Sequence, residues 1–184
     1  MKHQLSIVDE GDNTIGQDSR ENIHKKGLLH REVHVWIYNK KGEILFQKRS
    51  LTKDTFPGLL DASVGGHVEI GDGYEKSAIK ELEEEVGIKT SISDLLFITK
   101  TRSKSYDIIT KMTNNTIRFI YAYEFNDNLK KLQIEKGETI NLEFWTQKKI
   151  FSISEKDKEK FIPSVFNIDT QNVFRKIEKH LDKN

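Results

Sequence analysis

Cysteine is absent from this chain of 184 residues. Its absence excludes a disulfide scaffold, a thiolate zinc site and a cysteine nucleophile. An excess of charge is missing too. Thirty Lys and Arg stand against 29 Asp and Glu, for a net charge of +1, so nothing global argues for a nucleic-acid duplex or an anionic membrane as partner. No stretch approaches the ~20 apolar residues that a membrane-spanning helix needs. The opening MKHQLSIVDEGDNTIG has no long apolar run and soon turns acidic, unlike a signal peptide. Neither a repeat nor a low-complexity segment occurs. From these absences a soluble, cytoplasmic protein is expected. What is present is an ordinary globular composition, 35% hydrophobic and 32% charged, with enough apolar material for a core. The length suits one domain over 1–184, preceded within it by an N-terminal hairpin extension over 1–28.

Leu5 to Ile15 reads as a strand, an acidic turn at Glu10-Gly11-Asp12-Asn13 and a second short strand. The polar Gln17 to Lys26 stretch is expected to be a connecting loop or one helical turn. Val33 to Tyr38 and Ile44 to Gln47 are β-branched and aromatic runs around Asn39-Lys40-Lys41-Gly42, which predicts a hairpin. A loop over Leu51 to Pro57 and a short strand, Leu60 to Val64, lead into Gly65-Gly66. Tyr74 to Val86 carries the strongest helical signal, with Ala78, Ile79, Leu82 and Val86 on one side and Gly87 as a stop. Further strands are predicted at Leu95 to Thr99, Thr116 to Phe125 and Asn141 to Trp145, and a weaker helix at Asn172 to Leu181. Strands on both sides of a central helix predict an α+β domain, a mixed sheet with helices packed against it.

The chemistry concentrates in GGHVEIGDGYEKSAIKELEEEVGI, residues 65–88. Glu81, Glu84 and Glu85 stand at i, i+3 and i+4, so at ~100° per residue their carboxylates share one helix face. The apolar Ala78, Leu82 and Val86 take the adjacent face. Three neighbouring carboxylates repel one another, and a hard divalent cation relieves the repulsion; oxygen-only ligation with retained waters is the magnesium pattern. The plain alternative is a solvated acidic face, the common fate of a charge run. The preceding loop favours a site: Gly65-Gly66 permits close backbone approach, and Glu69 and Asp72 add acids before the helix.

This segment resembles the Nudix box, in which a Gly, five residues, a Glu and seven residues precede Arg-Glu-apolar-any-Glu-Glu-any-Gly-apolar. Gly66 opens the match, and Glu81, Leu82, Glu84, Glu85, Gly87 and Ile88 complete it. Asp72 replaces the first Glu, and Lys80 replaces the Arg without its bidentate fork. The resemblance implies the Nudix fold, an α/β/α sandwich around a mixed sheet, and magnesium-dependent hydrolysis of a diphosphate linkage in a small molecule, with manganese as substitute. It implies Glu81, Glu84, Glu85 and the Gly65 carbonyl as metal ligands and Lys80 as the group steering Glu81. The general base is then one of these glutamates or a distant acid. Glu138 is the candidate for the latter, though an ordinary exposed loop glutamate is the better reading of it.

The stretch from Gly27 to Asp72 is similar to the isopentenyl-diphosphate-isomerase-like branch of the family. That isomerase needs a cysteine where this chain has Gly65, and two glutamates where it has Asn114-Asn115-Thr116. Isomerisation is therefore not expected. Basic residues in that branch hold the substrate diphosphate, which implies the role for Arg49 and Lys53, with Glu69 as a further substrate contact; the alternative is a basic surface loop. His24, His30 and His67 resemble metal-binding histidines, a set suited to zinc or manganese, but with the paired glutamates missing they read better as polar or packing residues. His34, within a strand, reads as structural. Three functions stay in competition: a diphosphate hydrolase, an isomerase, and a non-catalytic nucleotide-binding module. A homodimer is left open.

Overall fold

The computed structural model describes residues 4–53 and 55–183. Residues 1–3 of the expected extension, Asp54 of the expected loop and Asn184 lie outside them. The chain starts with β1 (Gln4–Val8) and β2 (Thr14–Ser19), a hairpin forming a two-stranded sheet of its own. Where the polar composition predicted a loop or one turn, a helix, α1 (Arg20–Lys26), follows. Ser19 caps it by accepting from the Asn22 N–H, and Gly27 closes it at φ +64°. Its buried side is only Ile23 and His24, which is why no apolar period announced it.

The main sheet comprises β3 (His30–Tyr38), β4 (Glu43–Arg49), β5 (Leu60–Asp61), β6 (Val64–His67), β7 (Leu95–Asp107), β8 (Met112–Glu124) and β9 (Thr139–Thr146). The order is β5-β4-β3-β8-β7, with β6 also on β3 and β9 also on β4. β3 and β8 run parallel along the whole of β3, and the other pairs are antiparallel. The helices are α2 (Tyr74–Val86), α3 (Gln147–Phe151), α4 (Glu155–Lys158) and α5 (Ile168–Leu181). None of the described helices is long and apolar enough to cross a membrane.

The expected β3–β4 hairpin exists but splays. Its only register pair is Tyr38↔Ile44; beyond it β6 lies against β3, from Val35↔Val64 to Glu32↔His67. The chain therefore leaves β4 and joins β3 within a few residues, and the strand expected over Leu60 to Val64 breaks into β5 and β6. Ser63 bridges the gap: its hydroxyl accepts from the Ile37 N–H at 2.9 Å and donates to the Leu45 carbonyl at 2.5 Å. Two backbone groups left without a ladder partner are satisfied by one buried side chain.

Side-chain alternation on β3 feeds two cores. Val33, Val35 and Ile37 pack with Ala78, Leu82 and Val86 of α2. Trp36 and Tyr38 point the other way, to Val173, Phe174 and Ile177 of α5. The sheet is thus covered by a helix on each face. Leu82 is fully buried, and a Leu→Ala change at such a place costs about 2–5 kcal/mol. That core face fixes the rotation of α2, and with it the direction of the carboxylates one step around the helix.

Candidate active site

α2 turns Glu81 and Glu85 toward the two glycines of β6. A Cβ on Gly66 would lie 1.9 Å from Glu81 Oε1, so only glycine leaves room for that carboxylate. Glu85 is buried; its Oε1 accepts from the Gly65 N–H at 3.4 Å and its Oε2 from Gln47 Nε2 at 3.2 Å. Gln47 is itself held, since Thr139 Oγ1 donates to its Oε1. Burial, with Glu84 nearby, pushes the Glu81 carboxyl up to about 7. Burial and the neighbouring Glu81 push Glu85 well above the usual carboxylate range. Glu84 remains half exposed.

Lys80 sits on the outer side of this group. Its ammonium lies 2.7 Å from Glu69 Oε2 and 3.9 Å from Glu84 Oε1, so its ion pairs reach Glu69 and Glu84 rather than Glu81. Asp72 pairs with Lys76 at 2.6 Å. Arg49, the last residue of β4, and Lys53, in the loop after it, are both already paired. Arg49 donates to Asp61 Oδ2 at 2.8 Å and to the Thr55 carbonyl at 3.0 Å, and so holds its own loop as well as offering a cation. Lys53 is ion-paired with Glu138. Two residues given separate roles from sequence thus meet, and the Ser50 N–H also donates to the Glu138 carbonyl at 2.8 Å.

Sequence reasoning missed Gln47, Asp61, Thr139 and Glu135. Gln47 stands two residues after Leu45, which packs with α2, and so shares its face of β4; the period-2 pattern carried a usable signal for Gln47. Glu135 had none. Its N–H donates to the Glu85 carbonyl at 3.2 Å, and its carboxyl is raised by burial, with Glu138 and Glu84 adding to it.

One residue beyond the glycines, His67 turns to a second cluster. His24 Nε2 and His67 Nε2 are 3.2 Å apart, and ligand atoms of His24, His30 and His67 all lie within 4.8 Å of one another. The His30 Nδ1–H donates to the Leu28 carbonyl at 3.0 Å, leaving its buried Nε2 unpartnered. Burial lowers all three: His24 to about 4, His67 to about 3, and His30 in the same direction. They stand as neutral imidazoles, the form that ligates metal. A carboxylate is present after all, from β3 rather than from Asn114-Asn115-Thr116. Glu32 Oε1 lies 3.8 Å from His67 Nε2 and accepts from Asn114 Nδ2 at 2.8 Å, while Oε2 takes Arg118 Nε and Nη2 at 3.1 and 2.7 Å. Burial works to raise Glu32, but the Arg118 guanidinium paired with it holds it far below the carboxylate range.

The family model for the NUDIX domain matches residues 28–165. An uncharacterised Nudix hydrolase of Clostridium acetobutylicum is 31% identical over 141 residues, 75% of this chain and 67% of that protein. An isopentenyl-diphosphate Delta-isomerase of Photorhabdus laumondii is 35% identical over 125 residues, 68% of this chain and 66% of that protein. Among solved structures, a Deinococcus radiodurans protein shares the fold with a TM-score of 0.66, at 21% identity over 95% of this chain and 99% of that one. With the box glycines and glutamates assembled as described, the chain belongs to the Nudix family and is a hydrolase acting on diphosphate-containing substrates.

Proposed function

We propose that the enzyme is magnesium-dependent and cleaves a diphosphate linkage in a small molecule, with Glu81, Glu84, Glu85 and the Gly65 carbonyl holding the metal and manganese able to replace it. The observation that carries this reading is the pair of carboxylates on successive turns against a glycine strand, Glu81 half-buried and Glu85 buried, both with raised pKa. Two such acids without a cation are mutually destabilising. An all-oxygen donor set on a shielded helix face fits a hard dication. Magnesium bound there supplies charge neutralisation of the diphosphate and acidifies the attacking water.

The chain's own residues do the rest. Gln47 and the Gly65 N–H fix the rotamer of Glu85, and Lys80 tethers Glu84 and Glu69 at the rim. Arg49 and Lys53 meet the substrate's phosphate oxygens. A phosphate drawing Lys53 away releases Glu138 from its ion pair; the freed carboxylate is then able to take the proton of the attacking water. Water attacks directly at phosphorus in this reading, and no side chain is assigned as a covalent nucleophile; a cysteine one is excluded by composition. We place the protein in the cytoplasm, acting on a small molecule rather than a duplex or a membrane, in keeping with its balanced charge.

The histidine cluster supports a second reading, a zinc or manganese ion held by His24, His30 and His67, on the convergence of their neutral rings. Isomerisation remains disfavoured because Gly65 occupies the cysteine position. The test is a phosphate-release screen with magnesium over nucleoside diphosphate derivatives, dinucleotides, and thiamine and isoprenoid diphosphates. At least one substrate is expected to turn over, and Glu84→Gln to lower that turnover by about 100-fold, the scale of losing a metal ligand's charge. Turnover indifferent to chelator and to Glu84→Gln would sink the proposal, and binding without turnover would make the chain a non-catalytic module.

A further inference from the structure

The catalytic helix has no side-chain cap of its own. Its N-cap is Gly73, which makes no side-chain hydrogen bond to the first turn, so the start of α2 must be set by something else. That contact comes from the β1–β2 hairpin, which precedes the stretch matched by the family model. Asp12, in the hairpin turn, sits at φ +68°, a region costly for most residues and tolerated best by Asn, Asp and Gly. Its carboxylate accepts from the hydroxyl of Tyr74, the first residue of α2, at 3.0 and 2.9 Å. The same carboxylate takes Arg31 Nε of β3 at 2.7 Å and Lys100 Nζ of β7 at 3.0 Å, and the Asp12 carbonyl accepts from Arg31 Nη2. Only 13% of the Asp12 side chain is exposed. The Tyr74 ring cannot swing, because it stacks on Phe119 of β8 at 3.8 Å between centroids and 11° between planes.

We propose that Asp12 is a positioning residue for catalysis: through Tyr74 it pins the first turn of α2 to the sheet, and so sets where Glu81, Glu84 and Glu85 stand. The alternative role, docking the hairpin, is separable. Glu10, two residues away, pairs with Arg102 and touches nothing on α2 among its described contacts. A second tether runs from the buried Leu5 to Glu69 as an isolated bridge, so loss of the Asp12 contact leaves the hairpin attached.

The inference rests on the metal assignment to α2, so the experiment includes an arm independent of metal and turnover. Tyr74→Phe keeps the ring stack and removes only the hydroxyl; Asp12→Asn keeps the left-handed turn and removes the charge; Glu10→Gln is the control. In the metal-free protein, amide exchange at Ser77, whose N–H makes the first backbone bond of α2, to the Gly73 carbonyl, is expected to quicken about tenfold in Tyr74→Phe and Asp12→Asn, the scale of one lost charge-assisted hydrogen bond. With magnesium as probe, affinity is expected to weaken by about five- to tenfold, and kcat to fall by a similar factor with KM unchanged. The double variant should be no worse than either single one, and Glu10→Gln should match the wild type. Unchanged exchange in Tyr74→Phe overturns the proposal whatever the enzyme hydrolyses. Equal losses in Glu10→Gln also overturn it, reducing Asp12 to a hairpin anchor. Faster exchange with no magnesium binding in the wild type would instead count against the metal assignment and leave the pin standing.

Discussion

Three consecutive residues of β6 serve two clusters of opposite character. Gly65 and Gly66 face the carboxylates of α2, and His67 faces the imidazoles of His24 and His30. In the first, burial raises the acids and favours their neutral form; in the second, burial lowers the bases and also favours their neutral form. The physical cause is one and the same, the cost of charge away from water. The difference lies in the donor atoms. Oxygens on a helix suit a hard ion that keeps its waters, and nitrogens in a closed pocket suit a borderline ion. Glu32 shows the same contrast at a single residue, because Arg118 keeps it charged where the burial alone would not.

The largest effect should come from Glu85, the most buried of the acids on α2. Glu85→Gln is expected to lower kcat by about 100-fold or more while raising the melting temperature of the metal-free protein at pH 8, because it removes a carboxylate that is costly to ionise. A variant that loses activity and stability together would show that Glu85 is held by its neighbours rather than strained by them.

Stability against pH divides the clusters further. Glu81 rises from 4.5 to about 7 on folding, so the folded protein holds a proton that the unfolded chain has released. Its contribution is full below about pH 4.5 and declines as the pH rises to 7, by about 3 kcal/mol at most. His67 falls from 6.5 to about 3, so the unfolded chain binds the extra proton. Stability from that ring is full above 6.5 and declines as the pH drops. Denaturant melts of metal-free protein should show both flanks, and saturating magnesium should remove the alkaline one alone. An unchanged alkaline flank with magnesium would place the ion away from Glu81.

The smallest effect separates the two clusters in function. His67→Gln is expected to abolish retention of zinc or manganese after dialysis, measured by elemental analysis in the presence of excess magnesium. Magnesium-dependent turnover should change by less than about threefold. A loss near that of Glu85→Gln would make the two clusters one centre.

Much of this was legible where the signal is local. The bounds of α2 follow from Ala78, Leu82 and Val86 and the Gly87 stop, and the crowding of its acids from their spacing. The ion pair of Lys53 with Glu138, the contact of Glu32 with His67 and that of Asp12 with Tyr74 were not legible, because each joins residues far apart in sequence through the sheet order. The break between β5 and β6 was hidden for another reason: Leu60 to Val64 is apolar enough for a strand, and only the hydroxyl of Ser63 marks where it changes partner.

The splayed β3–β4 hairpin has a consequence for how the chain folds. Its tip closes locally at Tyr38↔Ile44, but along its length β3 is completed by β8, a parallel partner that follows all of α2 in the chain. During synthesis the box and its helix emerge while one edge of β3 is still open. Parallel pairings of such long sequence separation form slowly, because the loop between them must close before any contact rewards it. The apolar Val33, Val35 and Ile37 are therefore at their most vulnerable to mispairing before residue 124 has left the ribosome. The sheet is thus expected to be completed only after the helix has emerged.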